Sequence, residues 1–425
     1  MGCIIALVLF LYNALITLLW PLLYFYKPFR GTVSERLGNF PLEVYDPAAP
    51  GPRILVNAVS AGEVVAVSSF LLRLRQLLPQ AQIALLTTTE SGKAMAMKKL
   101  RDTVQLIAYF PLADLPFAVR RYLDRLKPSL YITTESELWP NIQSACRSRG
   151  IGVALVNARL YLHNKRGVRG WIVRRLYGLV DLIVCQDERQ RDNFRSFGLP
   201  EELLAVSGNL KFDFEQPQWD KGRLDEWRTR FAPGDIPLIV AGSTHPGEEG
   251  LLLDALAAVR QALGPAHLVI APRHIERADE VVALAEARGY RSLKLKEHLP
   301  GASCDVLVID QYGLLVDFYR IAGVVVMGGT FHPKVGGHNI LEATMLGKPV
   351  IVGPHTFSIT AQLDVLRACE GVVETVAGEP LATAIAGLLS DPARATKMGE
   401  AARLATEANR GAAERAVDAV LGLLK

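Results

Sequence analysis

Three acidic side chains and one lysine in the first half of the chain stand where an enzyme could use them. Glu63 closes the run Asn57-Ala58-Val59-Ser60-Ala61-Gly62-Glu63, whose small residues turn a strand into a helix. A carboxylate at a helix start lies near unpaired N–H groups that favour its ionised form. At the carboxyl end of a strand, an ionised carboxylate can act as general base toward a hydroxyl. The same stabilisation makes it a weak base, so positioning must supply much of the effect; the plain alternative is an acidic residue that only decorates a helix start. Glu135 and Glu137 follow another strand in Thr133-Thr134-Glu135-Ser136-Glu137-Leu138-Trp139-Pro140. Two carboxylates so spaced read as an acid/base pair, as hydroxyl binders, or as a cap and a surface charge. Lys211, in Gly208-Asn209-Leu210-Lys211-Phe212-Asp213, falls where the two halves of the sequence meet. An ammonium there can offset developing negative charge or can simply be solvated.

The second half offers phosphate chemistry. Ala241-Gly242-Ser243-Thr244-His245 follows a strand and precedes a helix, a turn whose backbone N–H groups suit a phosphate. Ala271-Pro272-Arg273-His274 ends the next strand, and Arg273 offers a planar fork to phosphate or carboxylate oxygens. Met327-Gly328-Gly329-Thr330 leads to Gly336-Gly337-His338-Asn339-Ile340-Leu341-Glu342. Asn339 with Glu342 fits a capping box, the structural alternative for both residues; functionally, Glu342 can accept from ribose hydroxyls. Three such turns at successive strand ends indicate a nucleotide site. No D-x-D occurs, so phosphate is expected to be held without metal, by Arg273, Lys211 and helix N-termini.

The elements that must carry these residues alternate strand and helix. Strand-like runs at 53–59 and 82–88 and near Val104, Leu130, Val153 and Leu182 are separated by helical patterns, the signature of a parallel sheet covered on both faces. A segment rich in Pro and charge, 213–237, reads as a linker. A second series begins at 238–241 and 267–271 and continues near Val306, Val324 and Val350, before an alanine-rich helical tail at 393–425. The expectation is α/β: two doubly wound Rossmann-like domains, 27–214 and 215–425, facing a ligand cleft at the carboxyl ends of their strands.

Residues 1–26 form a separate expected unit. From Gly2 to Tyr26 no side chain is charged, and the stretch ends in Trp20, Tyr24, Tyr26, Lys27 and Arg30. That length suits a membrane anchor helix, single-pass or monotopic, with the body on the cytoplasmic side. Asn13 and Pro21 interrupt a clean span. Residues 159–175 carry Arg159, Lys165, Arg166, Arg169, Arg174 and Arg175 and no acidic side chain, suiting either an anionic lipid surface or plain solvation. The helix 91–100 sets Met95 and Met97 beside Lys93, Lys98 and Lys99. A net charge of +4 does not demand nucleic acid, and five scattered cysteines without C-x-x-C exclude a disulfide scaffold or zinc knuckle. These residues alone admit a sugar-nucleotide transferase, another two-domain enzyme using a UDP-sugar, or a membrane-bound nucleotide-binding scaffold.

In order along the chain, the motifs resemble the 3-deoxy-D-manno-octulosonic acid (Kdo) transferase family. The stretches that match are Glu35-Arg36-Leu37-Gly38, Val59 to Glu63, Glu135 to Asn141, Asn157-Ala158-Arg159-Leu160, Gly208 to Asp213, Pro272-Arg273-His274, Gly336 to Asn339 with Glu342, and Gly353-Pro354-His355. The resemblance implies a GT-B fold, CMP-Kdo as donor, a phosphorylated lipid A precursor at the inner membrane as acceptor, and inversion at the transferred sugar. From the residues themselves, no metal cofactor and no nucleic-acid partner are expected. The resemblance assigns Glu63 as general base and Glu135 and Lys211 as transition-state stabilisers. CMP contacts carry over to Pro272 and Arg273, to Tyr312, Gly313 and Leu314, and to Asn339, Ile340, Leu341 and Glu342. The sequence departs from the family at Asn57, where His is usual, at Tyr161, where Ser is usual, and at Leu314, often polar in relatives.

Overall fold

The computed structural model describes residues 2–23, 29, 31–160, 167–214, 219–231, 234, 236–297 and 304–424. Tyr24, Tyr26, Lys27, Arg30, Tyr161, Lys165, Arg166, Pro217 and Pro233 lie outside the described residues. The chain divides into two compact units, 1–215 with 409–425, and 216–408.

The first unit is built on seven parallel strands: β1 Arg53–Asn57, β2 Gln82–Thr87, β3 Leu106–Tyr109, β4 Leu130–Thr134, β5 Gly152–Ala158, β6 Leu182–Cys185 and β7 Leu204–Val206. Their order is β3-β2-β1-β4-β5-β6-β7. Helices cover both faces, so the strands are apolar on both sides rather than alternating. In β1, Leu55 enters one layer with Tyr131, Val153 and Leu155, while Ile54 and Val56 enter the other with Val67, Phe70 and Leu71. The order reverses between β1 and β4, and ligands bind outside the carboxyl ends of strands at such a switch point.

The second unit repeats the plan with β8 Leu238–Thr244, β9 His267–Pro272, β10 Ser292–Lys294, β11 Val306–Val308, β12 Val324–Met327, β13 Val350–Val352 and β14 Val373–Glu374. All neighbours are parallel, in the order β10-β11-β9-β8-β12-β13-β14. Its switch point lies between β8 and β12.

The end of the chain departs from the expected boundary. The helix Pro392–Ala408 stays with the second unit, but Ala412–Leu421 packs on the first. Its Ala412, Ala413, Ala416, Val417 and Val420 recur at helical spacing and join the layer under the helix Ala61–Leu77. The Asp213 carboxylate accepts from Gly411 N (2.6 Å) and Ala413 N (2.5 Å), capping that helix. Sequence position alone assigns this tail to the neighbouring domain because its partners are nearly two hundred residues away.

At the other end, Gly2–Leu23 is helical and is docked on the first unit along one side. Ile16 and Trp20 pack with Val33, Leu112, Leu115 and Ala118, Trp20 meets Phe117 edge-on, and Asn13 accepts from the Asn141 amide at 2.6 Å. Phe10, Leu15, Leu18 and Leu22 point outward with more than half of their surface exposed. Among the described residues no helix is long and apolar enough to cross a membrane.

Candidate functional site

At the first switch point Glu63 is held from both sides of the reversal. It lies one turn into the helix Ala61–Leu77, whose N-cap Ser60 accepts from Glu63 N. The carboxylate returns toward the strand: Oε2 accepts from Val59 N (3.0 Å) and from the Thr134 hydroxyl on β4 (2.6 Å), and Oε1 from the Ser60 hydroxyl (3.1 Å). Cap and long-range tie occur in the same side chain. Glu63 is 9% exposed, and burial lifts its pKa above the usual carboxylate range, against the three hydrogen bonds; the charge of Glu135 adds to the rise. This reverses the expectation that the helix start dominates and keeps Glu63 a weak base. Desolvation outweighs the local dipoles and raises the proton affinity of the carboxylate.

Glu135 and Lys211 meet directly, with Nζ 3.0 Å from Oε1. Glu135 adopts φ +54°, a left-handed conformation unusual for a non-glycine residue. Backbone bonds on both sides pin it: its N–H donates to Val156 O and its carbonyl accepts from Arg159 N. Lys211 is set by a buried amide series. Asn157 Oδ1 accepts from Leu210 N, Gln186 donates to Asn157 O, Asn209 donates to Gln186, and Asn209 Oδ1 accepts from Lys211 N. Glu137, which the sequence reading noted without a fixed role, belongs to the same group. Burial pushes its carboxyl up to about 7, helped by the charges of Glu63 and Glu135.

In the second unit the turn after β8 and the loop after β12 are tied by one carboxylate. Glu248 is 3% exposed. It accepts from His245 N (2.8 Å), Gly329 N (2.7 Å) and Phe331 N (2.9 Å). Close approach here requires glycine: a Cβ on Gly328 would lie 2.4 Å from Ser243 O, and one on Gly242 would lie 1.8 Å from the Tyr319 hydroxyl oxygen. The Tyr319 hydroxyl also feels the charge of Glu342. Pro272 ends β9, and Arg273 N donates to Thr244 O, which sets the arginine beside the β8 turn. Tyr312, Gly313 and Leu314 form the loop before the helix Leu315–Ile321; Tyr312 is exposed and Gly313 has φ +88°. The capping box at Asn339 is only partly formed. Asn339 Oδ1 accepts from Leu341 N, and its side-chain amide donates to Glu342 where a complete capping box has the backbone N–H donate. Ile340 and Leu341 are buried.

A family model described as 3-deoxy-D-manno-octulosonic-acid transferase (kdotransferase) matches residues 31–214. The 3-deoxy-D-manno-octulosonic acid transferase of Haemophilus influenzae is 30% identical over 395 residues, 92% of this chain and 91% of that one. The Bordetella pertussis protein of the same name is 34% identical over 387 residues, 88% of each. The chain belongs to the Kdo transferase family. It is therefore a glycosyltransferase. Two solved structures of low identity share its fold. A glycosyltransferase from Rickettsia africae has TM-score 0.58 at 14% identity, covering 88% of this chain and 98% of that one. The UDP-GlcNAc 2-epimerase of Neisseria meningitidis has TM-score 0.59 at 14% identity, covering 87% and 100%. The likeness is one of fold, and the fold here, two seven-stranded parallel sheets covered by helices, is of the GT-B class.

Several stretches that carry the likeness to Kdo transferases are structural in this chain. In Glu35-Arg36-Leu37-Gly38, Glu35 accepts from Lys93 Nζ (2.7 Å) and Tyr109 N (2.9 Å). Arg36, 2% exposed, donates to Thr88 O and lies between the Phe29 and Tyr109 rings. The motif thus ties the segment before β1 to the carboxyl ends of β2 and β3. Trp139-Pro140-Asn141 starts the helix Pro140–Ser148, with proline at a first-turn position where no N–H is needed. Its cap comes from Asp114, which accepts from Asn141 N (2.7 Å) and Ile142 N (3.0 Å). Asp114 is fully buried, and burial pushes it up to about 7 despite those two bonds. The sequence reading missed Asp114; a lone acid inside Leu112-Ala113-Asp114-Leu115-Pro116 was the available signal. Gly353-Pro354-His355 sits against Thr330, which accepts from His355 N and, at its hydroxyl, from Gly353 N.

Proposed function

We propose that this chain transfers Kdo from CMP-Kdo to a hydroxyl of a phosphorylated lipid A precursor, with inversion and without a metal ion. Membership of the Kdo transferase family supports the donor and acceptor classes. The observation that carries the chemistry is Glu63, a nearly buried carboxylate of raised proton affinity at the first switch point, bonded to Val59 N, Ser60 and Thr134. The acceptor hydroxyl gives its proton to Glu63 as its oxygen bonds to the anomeric carbon. The bond from that carbon to the CMP phosphate oxygen breaks, and the electron pair leaves with CMP. Lys211, paired with Glu135, offsets negative charge that develops in the transition state. Pro272, Arg273, Tyr312, Gly313, Leu314, Asn339, Ile340, Leu341 and Glu342 hold CMP. The acidic groups near Glu63 suit hydroxyl-bearing sugars more than phosphates, which favours the acceptor side for the first unit.

The docked helix Gly2–Leu23, with Phe10, Leu15, Leu18 and Leu22 outward, suits a monotopic contact with the lipid surface that supplies the acceptor. The body then works at the cytoplasmic face of the inner membrane. Incubation of the full chain with CMP-Kdo and a tetraacyl lipid A precursor, read by mass spectrometry, tests the reading. Mass increments of one Kdo or more are expected, and their number gives the count of transfers. No increment, together with tighter binding of UDP than CMP, would point to a UDP-sugar enzyme instead.

A further inference from the structure

Four histidines gather at the second switch point. His245 follows β8, His274 follows β9, and His332 and His338 lie in the loop after β12. The His245 and His338 rings meet edge to edge, with centroids 5.0 Å apart and planes 7° from parallel, and their Nε2 atoms are 2.7 Å from each other. His332 and His274 stand 5.7 and 6.1 Å from the His245 ring. The pair is built in, not incidental. Glu248 fixes the backbone of both loops, through His245 N on one side and Gly329 N and Phe331 N on the other. Gly329, at φ +75°, leaves room for the His338 ring: a Cβ there would lie 3.0 Å from its Cδ2 and 3.2 Å from its Nε2.

Two imidazole nitrogens at 2.7 Å require one proton between them, since two lone pairs or two N–H groups would repel. A second proton meets opposition. Arg273, His274 and His332 face the pair, the positive end of the helix Glu248–Leu263 adjoins it, and the Glu249 carboxylate on the same helix acts weakly in the other direction. Burial opposes the second proton most, and His338 is pushed down to about 4. The Glu248 carboxylate is already engaged by three backbone N–H groups, and Glu249 by Thr244 and Arg277. The pair is therefore neutral and closed on itself.

We propose that the His245–His338 pair is a proton-coupled anion receptor of the donor site, taking one proton from solvent when a phosphoryl or carboxylate group arrives beside Arg273 and releasing it when that group leaves. With the second proton the N–H···N bond opens, and both imidazoles present N–H donors to the anion. This rests on the donor assignment of the second unit. The linkage has a definite sign. Binding raises the pair's pKa, so the added affinity is complete below the free pKa and is lost as pH rises through the bound pKa.

The test is calorimetric titration of the full chain with CMP in phosphate-free buffers of differing ionisation enthalpy, at pH ~6.5 and ~8.5, for wild type, His338→Gln and His245→Gln. CMP's own phosphate titrates near pH ~6 in all three proteins alike, so differences between them isolate the pair. Wild type should take up close to one more proton per CMP than either variant at the lower pH. Its affinity advantage should be roughly tenfold there and shrink toward unity at the higher pH. Equal proton uptake, or an affinity deficit that does not change with pH, would overturn the proposal. His245→Gln, which leaves the more buried His338 in place, repeats the comparison should His338→Gln not fold. Absence of CMP binding by the wild type would instead remove the donor assignment, and the proposal with it.

Discussion

The two switch points use the same topology and opposite chemistry. In the first unit, carboxyls gather around Glu63 and burial raises their proton affinity. In the second, imidazoles gather beside Arg273 and burial lowers theirs. Both shifts move the groups toward their neutral forms. In the proposed reaction Glu63 must be ionised to take the hydroxyl proton, and its raised proton affinity makes it the stronger base, whereas the histidines stay neutral until an anion arrives. The means of positioning also differ. The first unit uses long-range side-chain bonds such as Thr134 to Glu63 and the Asn157–Gln186–Asn209 series. The second uses glycines that let backbone loops touch, with Glu248 as the clamp.

If the first unit acts through charge in the transition state, Lys211→Met should lower the transfer rate by roughly 10² to 10³ while CMP affinity stays within about twofold. Single-turnover rates with parallel calorimetry check this; a fall in CMP affinity instead would blur the division between the units. If the second unit depends on its clamp, Glu248→Ala leaves three backbone N–H groups without their acceptor. It should cost on the order of 3 kcal/mol in denaturant unfolding and weaken CMP binding. Glu137→Gln should act in the other direction. The folded pKa of Glu137, about 7, lies above its ordinary 4.5, so the buried charge costs stability only once pH rises past the ordinary value, and the cost levels off beyond about 7. The variant should be near neutral at pH ~4 and more stable than wild type by about 3 kcal/mol at pH ~8. A pH-independent effect would show that the side chain acts through packing. The smallest effect is expected at the docked helix. Leu18→Asp with Leu22→Asp should reduce co-sedimentation with anionic vesicles and leave thermal unfolding nearly unchanged, because both side chains already face outward.

Much of this was legible in the sequence because parallel sheets write themselves as continuous apolar runs. Ile54-Leu55-Val56 and Val324-Val325-Val326 are strands buried on both faces, and the small-residue turns after β1 and β8 mark the ends where ligands bind. What stayed hidden was long range. The Ser60–Glu63 spacing announces a helix cap, but nothing local says that Thr134 will also bond the carboxylate or that burial will outweigh the dipole. The alanine helix 412–421 looks like the last turn of its neighbouring domain and instead completes the first. Asp114 reads as one acid in an apolar run until the helix it caps is seen. The apolar start shows its length in sequence, but not that Asn13, Ile16 and Trp20 hold one side of it to the body.

The most direct test of the account is Glu63→Gln, followed by single-turnover transfer from CMP-Kdo to the lipid acceptor and by CMP binding in the same preparation. The amide keeps the shape and can still accept from Val59 N and Thr134, but it cannot take a proton. Transfer should fall by roughly 10² to 10⁴ with CMP affinity unchanged. Turnover within about twofold of wild type would contradict the account, because proton abstraction would then belong to another group.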